Sequence, residues 1–124
     1  MASVNQRALP TAVPAIRAAL SNFLDGVEVL PAQSADIQLA VTEAAANVVR
    51  HAYPDEAGQI RCDAVADNGT IIITVSDWGC PFTMPTTDPG LGLGVLIMHS
   101  LADQVTLRQV DGAKRVELTF AHGV

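Results

Sequence analysis

The sequence predicts a single α/β domain, residues 1–124, built as a two-layer sandwich in which a mixed or antiparallel sheet is covered on one face by helices. Three observations predict it. Helical apolar periodicity occupies most of the first half of the chain, β-type runs dominate the second half, and consecutive strand runs are joined by tight turns rather than by helices. The resulting order is helix, helix, hairpin, loop, helix, hairpin. A doubly wound parallel sheet needs a crossover helix between successive strands, so it does not fit. With 49% apolar and 16% charged residues, a chain of 124 residues can bury one core and has no room for a second catalytic module.

The elements follow in order. Met1 to Leu9 holds at most a short edge strand. From Val13 to Leu24, the positions Val13, Ile16, Ala19, Leu20 and Phe23 fall at helical spacing. Ser34 and Asp36 offer N-cap chemistry for a longer helix that runs to about Ala52, where Tyr53-Pro54 ends it. Ile37, Val41, Ala44, Val48 and Ala52 make one apolar stripe on that helix, while Glu43, Asn47 and Arg50 stack on another face. Gln59 to Ala66 and the β-branched run Thr70 to Val75 flank Asp67-Asn68-Gly69 and form a hairpin. Gly94 to Ala102 is a helix opened by glycines. Val105 to Val110 and Arg115 to Phe120 then form a second hairpin through Asp111-Gly112.

Charge and composition exclude several functions. The formal charge is −6, and the seven Lys and Arg residues form no run, so direct nucleic-acid binding is not expected. The longest apolar stretch, around Leu91 to Met98, is too short for a bilayer crossing, which takes about 20 residues. No membrane association is expected, and the cytoplasm is the expected compartment. Cys62 and Cys80 are expected as reduced thiols, and neither they nor the scattered histidines have metal-ligand spacing.

Three segments carry chemistry. Glu43 and Asn47 stand at i, i+4, so one ligand can touch both side chains. A neutral amide oxygen suits Mg²⁺, which takes few protein ligands and completes its shell with waters and phosphates. A carboxylate one turn earlier can accept the proton of a hydroxyl attacking the same phosphate. Asp77-Trp78-Gly79 follows directly on an apolar strand, where a carboxylate can accept the exocyclic amino hydrogen of adenine and the glycine leaves space. Pro89 to Gly94, with Gly90, Gly92 and Gly94 alternating, leads into a helix, so backbone N–H groups and a helix N-terminus converge as a phosphate seat. It is neither a Walker sequence nor a dinucleotide fingerprint. Metal, base and phosphate contacts together point to ATP with Mg²⁺.

The segment Leu39 to Tyr53, containing Thr42-Glu43-Ala44-Ala45-Ala46-Asn47, resembles the N box of the Bergerat-type, histidine-kinase-like ATPases, in the version carried by bacterial anti-sigma factor serine/threonine kinases. Asp77-Trp78-Gly79-Cys80-Pro81-Phe82 is similar to their first glycine box. Gly92-Leu93-Gly94, with Ile97 to Asp103, is similar to their second. The resemblance implies a Bergerat-type ATP-binding fold with Glu43 as general base, Asn47 as Mg²⁺ ligand and Asp77 as adenine reader. Gly79, Gly92, Leu93 and Gly94 would shape the nucleotide pocket. It further implies a regulator of transcription, frequently a homodimer, that holds a sigma factor and phosphorylates a serine or threonine of an anti-anti-sigma factor.

The chain departs from that pattern: Pro81 stands where the wider superfamily frequently has glycine, the N-terminal strand on which a dimer would be built is weak, and two further segments differ. Thr83 to Pro89 contains no lysine or arginine to meet a γ-phosphate, and Lys114 follows Gly112-Ala113 where many members carry threonine after glycine. The alternative expectation is a nucleotide- or partner-binding regulatory module of the same fold that transfers no phosphoryl group. A histidine kinase would require in addition a phosphoacceptor helix domain.

Overall fold

The computed structural model describes residues 2–53, 56–79 and 96–121. Five strands form one sheet in the order β1-β2-β3-β5-β4, every neighbouring pair antiparallel. The strands are β1 (Ala2–Arg7), β2 (Gln59–Asp67), β3 (Thr70–Asp77), β4 (Gln104–Val110) and β5 (Ala113–Ala121). Helices α1 (Ala12–Val27) and α2 (Pro31–Asn47) cover one face, and the described residues 96–101 are helical and belong to a third helix, α3. The sheet is thus the antiparallel form of the expected sandwich.

Both hairpins close as the turn chemistry demands. Asn68 and Gly69 have φ of 49° and 78°, and Asp111 and Gly112 have φ of 51° and 80°. Two successive positive-φ residues define the tight turn whose twist matches the flanking strands, and Asn, Asp and Gly tolerate that region best. The first turn sets the register that brings Asp77 opposite Ile60, and the pairing of β3 with β5 brings Asp77 opposite Lys114.

Alternation sends Ile60, Cys62 and Ala64 of β2, Ile71, Ile73 and Val75 of β3, and Leu118 and Phe120 of β5 into the helix-covered face. They meet Ile16, Leu20 and Leu24 of α1, Ile37, Val41 and Ala44 of α2, and Met98 of α3 in one continuous core. By the same period of two, Asp77 and Lys114 also face the helices, at the end of the sheet where the core stops.

Two boundaries differ from the expectation. Helix α2 begins at Pro31 with Leu30 as N-cap and no side-chain cap, not at Ser34. Proline at the first helical position has its φ already set and its missing N–H costs nothing there, so it starts the helix a turn earlier. Strand β1 is a full edge strand, pairing six residues with β2. Its polar alternation hid it, and side chains on the open sheet face hold it. Ser3 donates a hydrogen bond to Asp63, while the guanidinium of Arg61 donates to Asp63 at 3.0 Å and to Ser3 Oγ at 3.1 Å.

Cys62 is a free, buried thiol whose ionisation burial, with Asp63 adding, pushes up from 9.0 to about 12. In the unfolded chain the thiol ionises first, so the native state binds more protons between those values and loses stability as pH rises from 9.0 towards 12. Denaturant titrations across that window are expected to show a shallower alkaline decline for Cys62→Ala than for the native chain. Identical slopes contradict the assignment.

Candidate functional site

Glu43 and Asn47 lie one turn apart near the end of α2, at the border of its buried stripe, and both are half-buried. Among the described residues Glu43 forms no ion pair. The Asn47 side-chain oxygen, Oδ1, is buried with no hydrogen-bond partner among the described residues. A buried acceptor without a donor costs about 1–3 kcal/mol, and such atoms are uncommon in folded chains. A neutral amide oxygen left in this state fits the Mg²⁺ that the N-box resemblance implies, since that ion takes isolated oxygen donors and fills its shell from water and phosphate.

Directly after Asn47 the helix widens into a π-helical turn, Val48–Ala52, of a kind that recurs at functional sites. Val48 and Ala52 stay buried and Arg50 is exposed, so Arg50 does not share the half-buried setting of Glu43 and Asn47. The widened turn delivers the Ala52 carbonyl to the loop after β3. A Cβ on Gly79 would lie 2.1 Å from that oxygen and 2.6 Å from its carbon. The space that Gly79 leaves is therefore filled by the helix end, and the glycine serves the junction of the two motifs.

Tyr53 fastens the same junction. Its hydroxyl donates to the Gln59 carbonyl at 2.6 Å and accepts the Trp78 backbone N–H at 2.9 Å. Burial pushes this phenol above its ordinary 10.0, which keeps it a donor. Tyr53→Phe loses both bonds and is expected to lower unfolding stability by about 1–3 kcal/mol, read from the urea midpoint. A shift under about 0.5 kcal/mol, the usual range of inconsequential surface changes, would show that the bonds do not hold the junction.

Asp77 ends β3 with its side chain 5% exposed. Its Oδ1 accepts the Gly79 N–H at 3.0 Å and lies 3.3 Å from Lys114 Nζ, and the lysine side chain is 11% exposed. A carboxylate this dry is held in place by its partners, because an unpaired charge there would be expelled or neutralised. Trp78, next along, is 47% exposed at the rim.

The second glycine segment, with Gly92, Leu93 and Gly94, lies outside the described residues, as does Cys80. Asp103, at the end of the Ile97 to Asp103 segment, has a structural function: its carboxylate accepts the Ala121 N–H at 2.5 Å while its own N–H donates to the Thr119 carbonyl at 2.9 Å. Sequence reasoning missed two contributors. Tyr53 enters the sequence pattern as the end of the helix and of the N-box segment, although a phenol beside a helix terminus carries a hydrogen-bonding tip. Lys114 was read only as a departure, although its inward parity with Val116, Leu118 and Phe120 places it on the core side.

The sequence pattern of the histidine kinase-like ATPase domain matches residues 6–120. The chain belongs to that family. The serine-protein kinase RsbW of Bacillus licheniformis is 29% identical to it over 128 positions, covering 90% of this chain and 79% of RsbW. Among solved structures, the RsbU and RsbW domains of Rv1364c from Mycobacterium tuberculosis align with a TM-score of 0.72 at 20% identity, covering 98% of this chain and 32% of that one. The SiaB-SiaC complex of Pseudomonas aeruginosa aligns with a TM-score of 0.59 at 16% identity, covering 94% and 88%. This histidine kinase-like ATPase domain thus spans about a third of the mycobacterial chain. Among its described residues no helix is long and apolar enough to cross a membrane.

Proposed function

We propose that this chain is an ATP-dependent serine/threonine protein kinase that acts as an anti-sigma factor, binding a sigma factor and phosphorylating an anti-anti-sigma factor. The observation that carries the reading is the buried Oδ1 of Asn47, without a hydrogen-bond partner among the described residues, one turn from Glu43. The likeness to the serine-protein kinase RsbW supports the reaction class, and the likeness to the SiaB-SiaC complex supports a protein partner.

Asp77 would accept an amino hydrogen of the adenine, and Asn47 Oδ1 would hold the metal. Mg²⁺, when bound, neutralises charge on the phosphate oxygens. Glu43 accepts the proton of the partner's serine or threonine hydroxyl as that oxygen bonds to the γ-phosphorus and the bond to the β,γ-bridging oxygen breaks, leaving ADP. Positioning and charge neutralisation supply most of the acceleration in such transfers. A homodimer, the sigma-factor contact and the nucleotide contacts of Gly79, Gly92, Leu93 and Gly94 belong to the same proposal.

Incubation of the native chain with ATP, Mg²⁺ and an anti-anti-sigma protein from the same genome tests it, with mass spectrometry of the acceptor as readout. One phosphoryl group on a serine or threonine is the expected product. The second reading, a regulatory module that binds without transfer, is favoured by the absence of lysine and arginine from Thr83 to Pro89. ATP bound with no acceptor modified would establish it instead.

A further inference from the structure

The ion pair at the end of β3 offers more than the single acceptor that adenine reading requires. Asp77 and Lys114 face each other across the β3 and β5 register, both on the helix-covered face, with Nζ 3.3 Å from Oδ1. Both described contacts of the carboxylate fall on Oδ1, one from Gly79 N–H and one from Lys114. Oδ2 takes none among the described residues. The site therefore presents an acceptor oxygen with a cationic donor directly beside it, both nearly dry.

That order of acceptor and donor complements one edge of adenine, where the exocyclic amino group is a donor and the adjacent ring nitrogen N1 is an acceptor. We propose that Lys114 is a second base-reading residue, giving a hydrogen from Nζ to ring N1 while Asp77 accepts from the amino group. This inference rests on the nucleotide-binding reading above and deepens it. An ammonium carries several N–H donors, so pairing with Asp77 and donating to N1 are compatible. In a closed, low-dielectric seat a charge-assisted bond of this kind is worth roughly ten- to a hundredfold in affinity.

The test compares ATP with the triphosphate of 1-deazaadenosine, in which C–H replaces N1, by calorimetry on the native chain, Lys114→Met and Lys114→Arg. The native chain is expected to prefer ATP by about tenfold or more. Lys114→Met should bring the two affinities together, and Lys114→Arg, which restores a donor, should keep a preference. Removing one partner of a buried pair is destabilising, so melting curves accompany each variant. Should Lys114→Met fail to fold, the native ratio and the arginine variant decide. Equal binding of the two nucleotides by the native chain overturns the assignment. So does an unchanged preference in Lys114→Met, or tighter ATP binding by it, which would mark the ammonium as a competitor for Asp77. No ATP binding by the native chain overturns the nucleotide reading itself, and is distinct from ATP binding without a preference for N1.

Discussion

Glu43→Gln is expected to slow phosphoryl transfer to the protein acceptor by about 10²–10⁴-fold, the usual contribution of a positioned general base, while leaving ATP affinity within about threefold. Glutamine keeps the size of the side chain and its hydrogen-bonding reach but cannot take the hydroxyl proton. Glu43 forms no ion pair among the described residues and sits one helical turn before Asn47, so its removal unbalances no charge pair there. Single-turnover phosphorylation and nucleotide titration of the same preparation separate the two effects. Slowing of less than about fivefold would be too small for a general base. An equal loss of binding and transfer would instead make Glu43 a nucleotide contact.

The largest stability effect is expected at Gly79. A methyl group there meets the Ala52 carbonyl at 2.1 Å, and backbone cannot rotate away as a flexible side chain can. Gly79→Ala is therefore expected to cost about 3 kcal/mol or more, and for a domain of this size that lowers the melting temperature by about 10 °C or more. ATP affinity should fall with it, because the same junction aligns Asp77 with the end of α2. Gly26→Ala is the control. Gly26 lies within α1 with nothing within 4 Å of the added carbon, so the substitution should add about 0.5–1 kcal/mol through helix propensity. Scanning calorimetry of the two variants, with opposite shifts expected, checks both, and an unshifted Gly79→Ala would contradict the close approach.

Local signals explain why much of this fold could be read before the structure. The Asn68-Gly69 and Asp111-Gly112 turns and the two-residue alternation of Ile71, Ile73 and Val75 are written into adjacent residues, so both hairpins and their buried face follow from short-range rules. The i, i+4 spacing of Glu43 and Asn47 likewise survives into the structure. What escaped depends on tertiary pairing. Nothing near Lys114 in sequence reveals that register will put it opposite Asp77, and nothing near Tyr53 names Gln59 and Trp78 as its partners. The π-helical turn was hidden because its residues also fit an α-helical stripe, and its consequence, the Ala52 carbonyl against Gly79, gives that glycine a packing reason beside the one its motif suggests.

The claim on which the account stands is that Asn47 Oδ1 is a ligand to nucleotide-bound Mg²⁺. Isothermal titration of ATP into the native chain and Asn47→Ala, each with Mg²⁺ and with EDTA, tests it most directly. The native chain should bind ATP at least about tenfold more tightly with Mg²⁺ than with EDTA, and Asn47→Ala should lose most of that gain while keeping its EDTA affinity. Equal losses in both buffers, or no ATP binding by the native chain, would contradict it.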